Sequence, residues 1–227
     1  MSKDGKIWLS HTGIEGLERC PRCFWLYYRK GIRQPEGIVS RLANRFDIVL
    51  KNYFDSFRPQ LPPMVEGKLK GKLQNPFREK YFVTIDEKYG FWGKLDECLV
   101  DGSGELVPVD FKTSSSDPRE KEILQAYVSQ IDAYIFLLKQ NKQKTADCGY
   151  LIFVFPDHSQ KLHEGFPMVI HVQKVLGDGK KTAQKIAGAI EILEGKIPDA
   201  SEDCVFCKYR STVNELESPK QTSLFGH

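Results

Sequence analysis

Residues 93–112 read GKLDECLVDGSGELVPVDFK, and the predicted fold is built around them. Residues 101–104 are a turn signal between two apolar runs, so this stretch predicts two adjacent strands. Asp110 and Lys112 are two residues apart, so their side chains point to one face of the second strand. Asp96, within the first strand, reaches the same face. An aspartate among apolar residues is unfavourable unless another group pairs with it, so the stretch is a candidate site.

Two interpretations of these three side chains are open. Two carboxylates in one site repel each other, and a hard cation such as Mg²⁺ relieves the repulsion by binding their oxygens. A lysine beside that cation would orient or deprotonate a bound water. In the alternative, Asp110 and Lys112 form a buried ion pair and Asp96 is solvated, which is the common arrangement for an isolated D-x-K tripeptide.

A third pattern follows the D-x-K tripeptide along the chain. Gln130 and Tyr134 form a Q-x-x-x-Y motif in a predicted helix, where a spacing of four puts both side chains on one face. Together with G-x-x-D ending at Asp96 and D-x-K from Asp110 to Lys112, this motif resembles the PD-(D/E)XK nuclease superfamily, in its RecB-like branch with the CRISPR-associated exonucleases. Without the upstream motifs, the same pair would indicate a core tyrosine with a flanking glutamine.

The resemblance implies a metal site and a role for each matching residue. In that family two aspartates bind the metal, here Asp96 and Asp110, together with a backbone carbonyl, here that of Phe111. The lysine, here Lys112, serves the attacking water, and the glutamine and tyrosine of the helix line the site near the scissile phosphate. The implied cofactor is one or two Mg²⁺ or Mn²⁺ ions, which activate water and offset the charge of the transition state.

An additional oxygen ligand is predicted on an earlier helix. Residues 41–57 have a helical apolar periodicity, and Asp47 lies among the apolar positions. Many RecB-like nucleases have a metal-binding histidine on this helix, and this chain has none there, so Asp47 is the candidate replacement. The alternative is an exposed aspartate that flanks the apolar stripe. Glu36 and Glu97 are further candidates for the same role.

Four cysteines lie in two C-x-x-C pairs, Cys20 with Cys23 and Cys204 with Cys207. In a reducing compartment, two such pairs predict one site with four thiolate ligands. RecB-like nucleases with a 4Fe–4S cluster have one of its cysteines before the nuclease core and three after it, whereas the split here is two and two. Position favours a 4Fe–4S cluster, and two C-x-x-C pairs equally suit Zn²⁺. In either case the predicted site joins the two ends of the chain.

Composition and charge are those of an ordinary globular protein. The 227 residues suffice for one domain with a sizeable core, and the net charge of +3 permits nucleic-acid binding without arguing for it. Basic residues concentrate at 19–33, 68–80 and 139–144, which indicates either a solvated surface or a nucleic-acid path. No apolar segment has the length of a signal peptide or a membrane span, so we expect a cytoplasmic protein without membrane contact. There, Cys98 and Cys148 are expected to be buried thiols.

The predicted fold is α/β, with a restriction-endonuclease-like core, a mixed sheet of four or five strands flanked by helices, and a four-cysteine site joining the termini. We expect one nuclease domain over residues 1–227, with a lead-in at 1–10 and a frayed tail after Ser211. The parts of this domain are expected at 10–57, 80–195 and 196–210. The expected helices are 10–20, 41–57, 119–140 (capped by Asp117 and Pro118) and 180–193. The expected strands are 80–86, 91–100, 105–112, 148–155 and 166–172.

The function implied by the resemblance is metal-dependent hydrolysis of DNA phosphodiester bonds, in single strands or at duplex ends. Water attacks phosphorus directly in this chemistry, so no serine or cysteine nucleophile is required. Nucleases of this branch serve in repair, recombination or the trimming of new CRISPR spacers, so protein partners in repair or CRISPR adaptation are implied as well. The alternative is a catalytically inactive nucleic-acid-binding module whose four cysteines hold a structural zinc ion.

Overall fold

The computed structural model describes residues 5–35, 39–119, 121–157, 165 and 167–217. The chain divides into two compact units. The larger unit comprises Met1–His11 and Glu36–Gly188, and the smaller comprises Thr12–Pro35 and Ala189–His227. The expected single domain over the whole chain stays a prediction.

Strands and helices occur in runs of one type along the chain. The strands are β1 (Ile7–Ser10), β2 (Lys72–Leu73), β3 (Lys80–Thr84), β4 (Tyr89–Lys94), β5 (Glu97–Val100), β6 (Leu106–Thr113), β7 (Cys148–Pro156) and β8 (Met168–Leu176). The helices are α1 (His11–Arg19), α2 (Pro21–Lys30), α3 (Val39–Asp55), α4 (Gln125–Gln140), α5 (Lys180–Glu194) and α6 (Val205–Glu217), with a 3₁₀ turn at Pro63–Val65. In the described part of the chain, no helix combines the length and the apolar character that a membrane crossing requires.

Five strands of the larger unit form the predicted mixed sheet, in the order β2-β5-β6-β7-β8. β5 and β6 form the predicted hairpin, and its turn is held by Asp101 Oδ1, which accepts hydrogen bonds from the backbone N–H groups of Ser103 (2.8 Å) and Glu105 (2.9 Å). β6 and β7 run parallel, which requires a crossover connection, and α4 provides it. Within this sheet Cys98 is buried, which raises the pKa of its thiol to about 12, and Cys148 is half-buried.

Side chains alternate along β6 between the two faces of the sheet, and both polar site residues, Asp110 and Lys112, lie on the same face. Val107, Val109 and Phe111 belong to a buried cluster with α3, in which the rings of Phe111 and Phe54 are 4.9 Å apart. Burying a large apolar side chain such as Phe54 contributes roughly 1.5–3 kcal/mol. The intervening residues of β6, including Asp110, therefore face the opposite side of the sheet, where α4 packs.

The apolar run 91–100 is not one strand, so that prediction was wrong. It is divided between β4 and β5, which belong to different sheets, because β4 pairs with β1 and β3. Leu95 and Asp96 lie in the break, where Leu95 is fully buried and its backbone N–H donates to the Glu79 carbonyl at 2.8 Å. Asp96 therefore lies at a junction between two sheets and not inside a strand.

The ends of the chain are more regular than expected. The predicted lead-in contains β1, which pairs in parallel with β4 and buries Leu9. Of the predicted frayed tail, residues 212–217 belong to α6, where Thr212 Oγ1 donates to the Lys208 carbonyl one turn earlier at 3.1 Å, and residues 218–227 lie outside the described residues. The C-P-R-C segment starts α2, which ends at Gly31 with φ 67°, a conformation that glycine adopts without strain.

Two further boundaries differ from the predictions. α4 begins at Gln125 and not near residue 119, because Asp117 binds the backbone N–H of Arg119 and its guanidinium and so stabilises a local turn. The last strand covers Met168–Leu176, later than the expected 166–172, and Phe166 lies outside the described residues.

Candidate active site and four-cysteine centre

β6 and α4 bring four of the predicted site residues into one hydrogen-bonded network. Asp110 Oδ1 accepts hydrogen bonds from Gln130 Nε2 (2.7 Å) and from the Tyr134 hydroxyl (3.2 Å). Gln130 Nε2 also donates to the Tyr134 hydroxyl oxygen at 2.8 Å, and Gln130 Oε1 accepts from Lys112 Nζ at 2.7 Å. Lys112 Nζ forms an ion pair with Asp110 Oδ2. The spacing of two on the strand and of four on the helix accounts for these contacts.

Asp96 reaches this network from the break between β4 and β5. Its Oδ2 accepts a hydrogen bond from the backbone N–H of Phe111 at 3.1 Å. Gly93 permits the approach of β4 to α4, because a Cβ at this position would lie 2.6 Å from Leu137 Cδ1. The G-x-x-D pattern therefore combines a close contact between a strand and a helix with an aspartate at the strand end.

Burial dominates the electrostatics of the network. It raises the pKa of Asp110 to about 7, a shift that Lys112 opposes and the Asp96 carboxylate reinforces. Burial, together with the charges of Asp110 and Asp96, also raises the pKa of Tyr134 well above its ordinary value. The Tyr134 hydroxyl therefore stays protonated and acts as a hydrogen-bond donor to Asp110.

One oxygen of the network has room for a further partner. Asp110 Oδ2 is buried, and its described neighbour is the Lys112 ammonium, which pairs with it without the angles of a regular hydrogen bond. A carboxylate oxygen can accept more than one partner. A divalent cation held by Asp110 and Asp96 would be a second one, and carboxylate oxygens are ligands that Mg²⁺ and Mn²⁺ prefer. The residues present therefore fit such a cation.

A second lysine, which the sequence analysis did not identify, lies at this site. Lys51 Nζ of α3 is 2.7 Å from Asp47 Oδ2 and 2.8 Å from Asp96 Oδ1. Burial opposes its charge, yet the carboxylates of Asp96 and Asp47 raise the pKa of Lys51 above its ordinary value. The sequence feature that could have identified Lys51 was its helical spacing from Asp47, because Lys51 follows Asp47 by four residues and so lies on the same face of the helix. The site thus contains a positive charge between two predicted metal ligands.

The other candidate carboxylates have different surroundings. Among the described residues, the only group of three or more cysteine, histidine or acidic side chains with ligand atoms within 4.8 Å of one another is the set of four cysteines, so Asp47 does not complete a three-carboxylate cluster. Glu97 is buried and binds the Arg58 guanidinium through both oxygens, at 3.0 and 2.5 Å. Its carboxylate is therefore already occupied. Glu36 lies outside the described residues.

The two C-x-x-C pairs converge in the smaller unit. Cys20 and Cys23 lie at the start of α2, and Cys204 and Cys207 lie at the start of α6. Their sulfurs are all within 4.8 Å of one another, with separations of 4.0 Å (Cys20 to Cys207), 3.6 Å (Cys23 to Cys204) and 3.5 Å (Cys23 to Cys207). All four are free thiols. Two segments far apart in sequence therefore form one group that could bind a metal.

The four sulfurs differ in how readily they ionise. Burial opposes the Cys20 thiolate, but hydrogen bonds from the backbone N–H groups of Cys23 and Ser201 lower the pKa of Cys20 to about 7. Burial raises the pKa of Cys23 and of Cys207. A bound cation would favour the thiolate form of all four, because only thiolates act as metal ligands.

Both the sequence and the fold match known proteins. The family model of the PD-(D/E)XK nuclease superfamily matches residues 55–212. The fold is similar to the crystal structure of a protein named SSO0001, with a TM-score of 0.52 and 17% sequence identity over 94% of this chain and 86% of that chain. At this identity the likeness concerns the fold alone. The family match covers well over half of the chain and contains Asp96, Asp110 and Lys112, so the chain belongs to the PD-(D/E)XK nuclease superfamily.

Proposed function

We propose that this chain is a deoxyribonuclease that uses Mg²⁺ or Mn²⁺ to hydrolyse phosphodiester bonds in single strands or at DNA ends. Membership of the superfamily supports a metal-dependent nuclease in general. The observation that carries the proposal is the fully buried Asp110 carboxylate, which lies beside a second carboxylate, that of Asp96, and beside the Lys112 ammonium. The preference for single strands or ends, and a place in repair or CRISPR adaptation, rest on the resemblance to RecB-like nucleases alone.

The cation ligands in this proposal are Asp96, Asp110 and the backbone carbonyl of Phe111. The cation, when bound, supplies Lewis-acid stabilisation of the phosphoryl charge and makes a coordinated water more acidic. Gln130 and Tyr134 donate to Asp110 Oδ1, which fixes the carboxylate and leaves Oδ2 for the cation. The network therefore orients one metal ligand before substrate binds.

Two lysines have separate roles in the proposal. The Lys112 ammonium has three N–H donors, of which one is directed to Gln130 Oε1 and another lies against Asp110, so one remains to orient the attacking water. Lys51 neutralises Asp47 and Asp96 while no cation is bound. Because its ammonium is within 2.8 Å of Asp96 Oδ1, it must withdraw before that oxygen binds a cation.

We propose that the four cysteines bind one metal centre that stabilises the smaller unit. Four thiolates around a single Zn²⁺ at about 2.3 Å are about 3.8 Å apart in a tetrahedron, close to three of the observed separations, 3.5–4.0 Å, while all six lie within 4.8 Å. In a 4Fe–4S cluster each thiolate binds a different iron, so the sulfurs lie farther apart. The separations favour Zn²⁺, whereas position relative to the nuclease core favours the cluster. Anaerobic purification followed by metal analysis decides between them, because a cluster gives brown protein with iron and sulfide.

A cleavage assay with end-labelled single strands and duplexes tests the nuclease proposal. Wild-type protein should cleave with Mn²⁺ or Mg²⁺ and not without divalent cation, and Asp110→Asn and Lys112→Ala should abolish cleavage. The matched controls are Asp147→Asn and Lys139→Ala, which alter a partly exposed ion pair outside the network and should cleave normally. Binding of DNA without cleavage under every metal condition would favour the inactive binding module instead.

A further inference from the structure

The smaller unit contains a cavity that the proposed nuclease chemistry does not use. Its volume is about 490 Å³, and it lies between α2 with the residues that follow it and α6 with the residues that precede it. Cys23 and Cys207 form part of its wall, so the cavity adjoins the four-cysteine centre. None of the candidate active-site residues lines it.

Positive charge dominates the cavity lining. Arg22 and Arg33 contribute from one segment and Lys208 and Arg210 from α6, while Glu202 is the one acidic residue among the lining residues. Within the described ranges, none of the four basic side chains forms an ion pair with a carboxylate. Among its described lining residues the cavity therefore has four basic side chains and one acidic one, an excess of three formal positive charges, which favours an anionic ligand.

The apolar part of the lining narrows the class of anion. Leu26 lines the cavity, and Ile32 and Phe206 do so while 53% and 41% exposed. An aromatic face beside basic side chains is the combination that binds single-stranded nucleic acid, since the base stacks on the ring and the phosphates pair with the cations. Guanidinium groups add paired hydrogen bonds to phosphate oxygens. A cavity of this size suits a single strand and not a duplex.

A different explanation applies to two of the four cations. Arg22 and Lys208 directly adjoin Cys23 and Cys207 in sequence, so they could offset the negative charge of a thiolate centre. Arg33 and Arg210 do not adjoin a cysteine. The Arg33 guanidinium instead lies 5.6 Å from the centre of the Tyr27 ring, which orients it without neutralising it. The two arginines are therefore the residues on which a ligand hypothesis can be tested.

We propose that this cavity is a second nucleic-acid site, which binds the phosphates of a single strand through Arg33 and Arg210 and a base through Phe206. The identity of the ligand as nucleic acid rests on the proposed function, whereas its anionic character rests on the cavity alone. Because none of the candidate active-site residues lines the cavity, the site would affect substrate affinity and not the chemical step.

The test measures strand binding in the absence of cleavage. Fluorescence anisotropy with a labelled oligothymidylate is recorded for the Asp110→Asn protein without divalent cation, with or without Arg33→Gln plus Arg210→Gln. Losing two phosphate contacts should weaken binding about 25-fold at about 0.1 M salt and lower the salt exponent by about 1.4. The matched control is Arg29→Gln plus Lys196→Gln, two exposed cations of the same unit outside the cavity, which should leave affinity nearly unchanged.

A second pair of variants tests the stacking contact. Phe206→Ala should weaken binding about fivefold or more, by the usual effect of base stacking, whereas Tyr209→Ala, an exposed aromatic outside the cavity, should not. If the double glutamine variant loses its cysteine-bound metal, the variant Arg33→Lys plus Arg210→Lys is measured in its place. This lysine variant should keep the salt exponent of strand binding while its affinity for the strand falls.

The outcomes separate this inference from the proposed function. The cavity site would be refuted if the cavity variant and the Arg29 control weakened single-strand binding equally. It would also be refuted if the cavity variant lost as much affinity for a blunt duplex as for the single strand. If the wild type cleaves DNA and the cavity variant binds the strand as tightly as its parent, the nuclease proposal is supported and the cavity inference is refuted. Cavity-dependent strand binding by a protein that cleaves nothing would support the inference and refute the nuclease.

Discussion

Replacing Asp110 by asparagine should stabilise the protein in the absence of divalent cation while abolishing cleavage. The Asp110 carboxyl is fully buried beside Asp96, and burial raises its pKa to about 7. Asparagine has nearly the same shape and retains a carbonyl oxygen that accepts the hydrogen bonds of Gln130 and Tyr134. The substitution therefore removes a desolvated charge and little packing.

The sign and the size follow from the two pKa values of Asp110. The pKa is 3.8 for an unperturbed aspartate and about 7 in the folded protein, so folding favours the protonated carboxyl. Its contribution to stability is complete below about pH 4 and is lost as the pH rises through about 7. About three pKa units correspond to at most about 4 kcal/mol. This limit of about 4 kcal/mol already includes the attraction between Lys112 and the Asp110 carboxylate, because Lys112 opposes the pKa shift from which the limit is taken. Protonated aspartate and asparagine are alike in this respect, since both leave Lys112 without a negative partner.

Urea denaturation at about pH 5 and about pH 8 measures the free energy of unfolding of both proteins. At the higher pH this free energy should be about 1–4 kcal/mol larger for Asp110→Asn than for the wild type. Asp147→Asn is the control, since its side chain is 70% exposed and its effect should not change between the two pH values. Saturating Mn²⁺ should reverse the order, because only the wild type binds it. An advantage that does not grow with pH would refute the argument that the buried charge is destabilising.

Three further variants test the neighbouring charges. Lys51→Met should tighten Mn²⁺ binding about threefold to tenfold in calorimetry, because each partly exposed ion pair that a cation must break is worth up to about 1 kcal/mol. The control Lys139→Met should leave the affinity unchanged. Unchanged affinity in Lys51→Met as well would show that Lys51 does not compete with the cation. Asp47→Ala should weaken Mn²⁺ binding in the same assay, and wild-type affinity would limit Asp47 to holding Lys51. Glu97→Ala should lower the free energy of unfolding by about 3–5 kcal/mol, because it removes the buried carboxylate of the pair and leaves the Arg58 guanidinium only the exposed Asp55 carboxylate and the Gln74 carbonyl among its described acceptors; a loss under about 1 kcal/mol would contradict a structural role for that pair.

The sequence predicted the parts of the fold that depend on local periodicity. Turn chemistry at Asp101 predicted the hairpin, and the period of two along β6 predicted which side chains face α4. The convergence of the cysteines also followed from spacing, since two C-x-x-C pairs in one chain suit one metal. These features succeed because a few adjacent residues determine each of them.

The two predictions that failed did so for different physical reasons. The apolar run at 91–100 has no glycine or proline at the point where it divides, and the break occurs because Leu95 pairs with the distant Glu79 and not with the hairpin. The start of α4 differs because a local turn at Asp117 replaces the expected cap. A contact between distant residues therefore decided the first feature, and a local side-chain contact decided the second.

Lys51 shows why a catalytic motif alone did not describe the charge of the site. Asp47, Asp96 and Asp110 with Lys51 and Lys112 leave one formal negative charge when all five are ionised. One divalent cation changes this to one formal positive charge, which a single phosphodiester neutralises. Without Lys51 the metal-bound site would have no net charge, so under the proposed function Lys51 would compete with the cation and at the same time favour the binding of an anionic substrate to the loaded site. Tighter Mn²⁺ binding and weaker DNA binding by Lys51→Met would therefore have a common cause, the loss of the Lys51 positive charge.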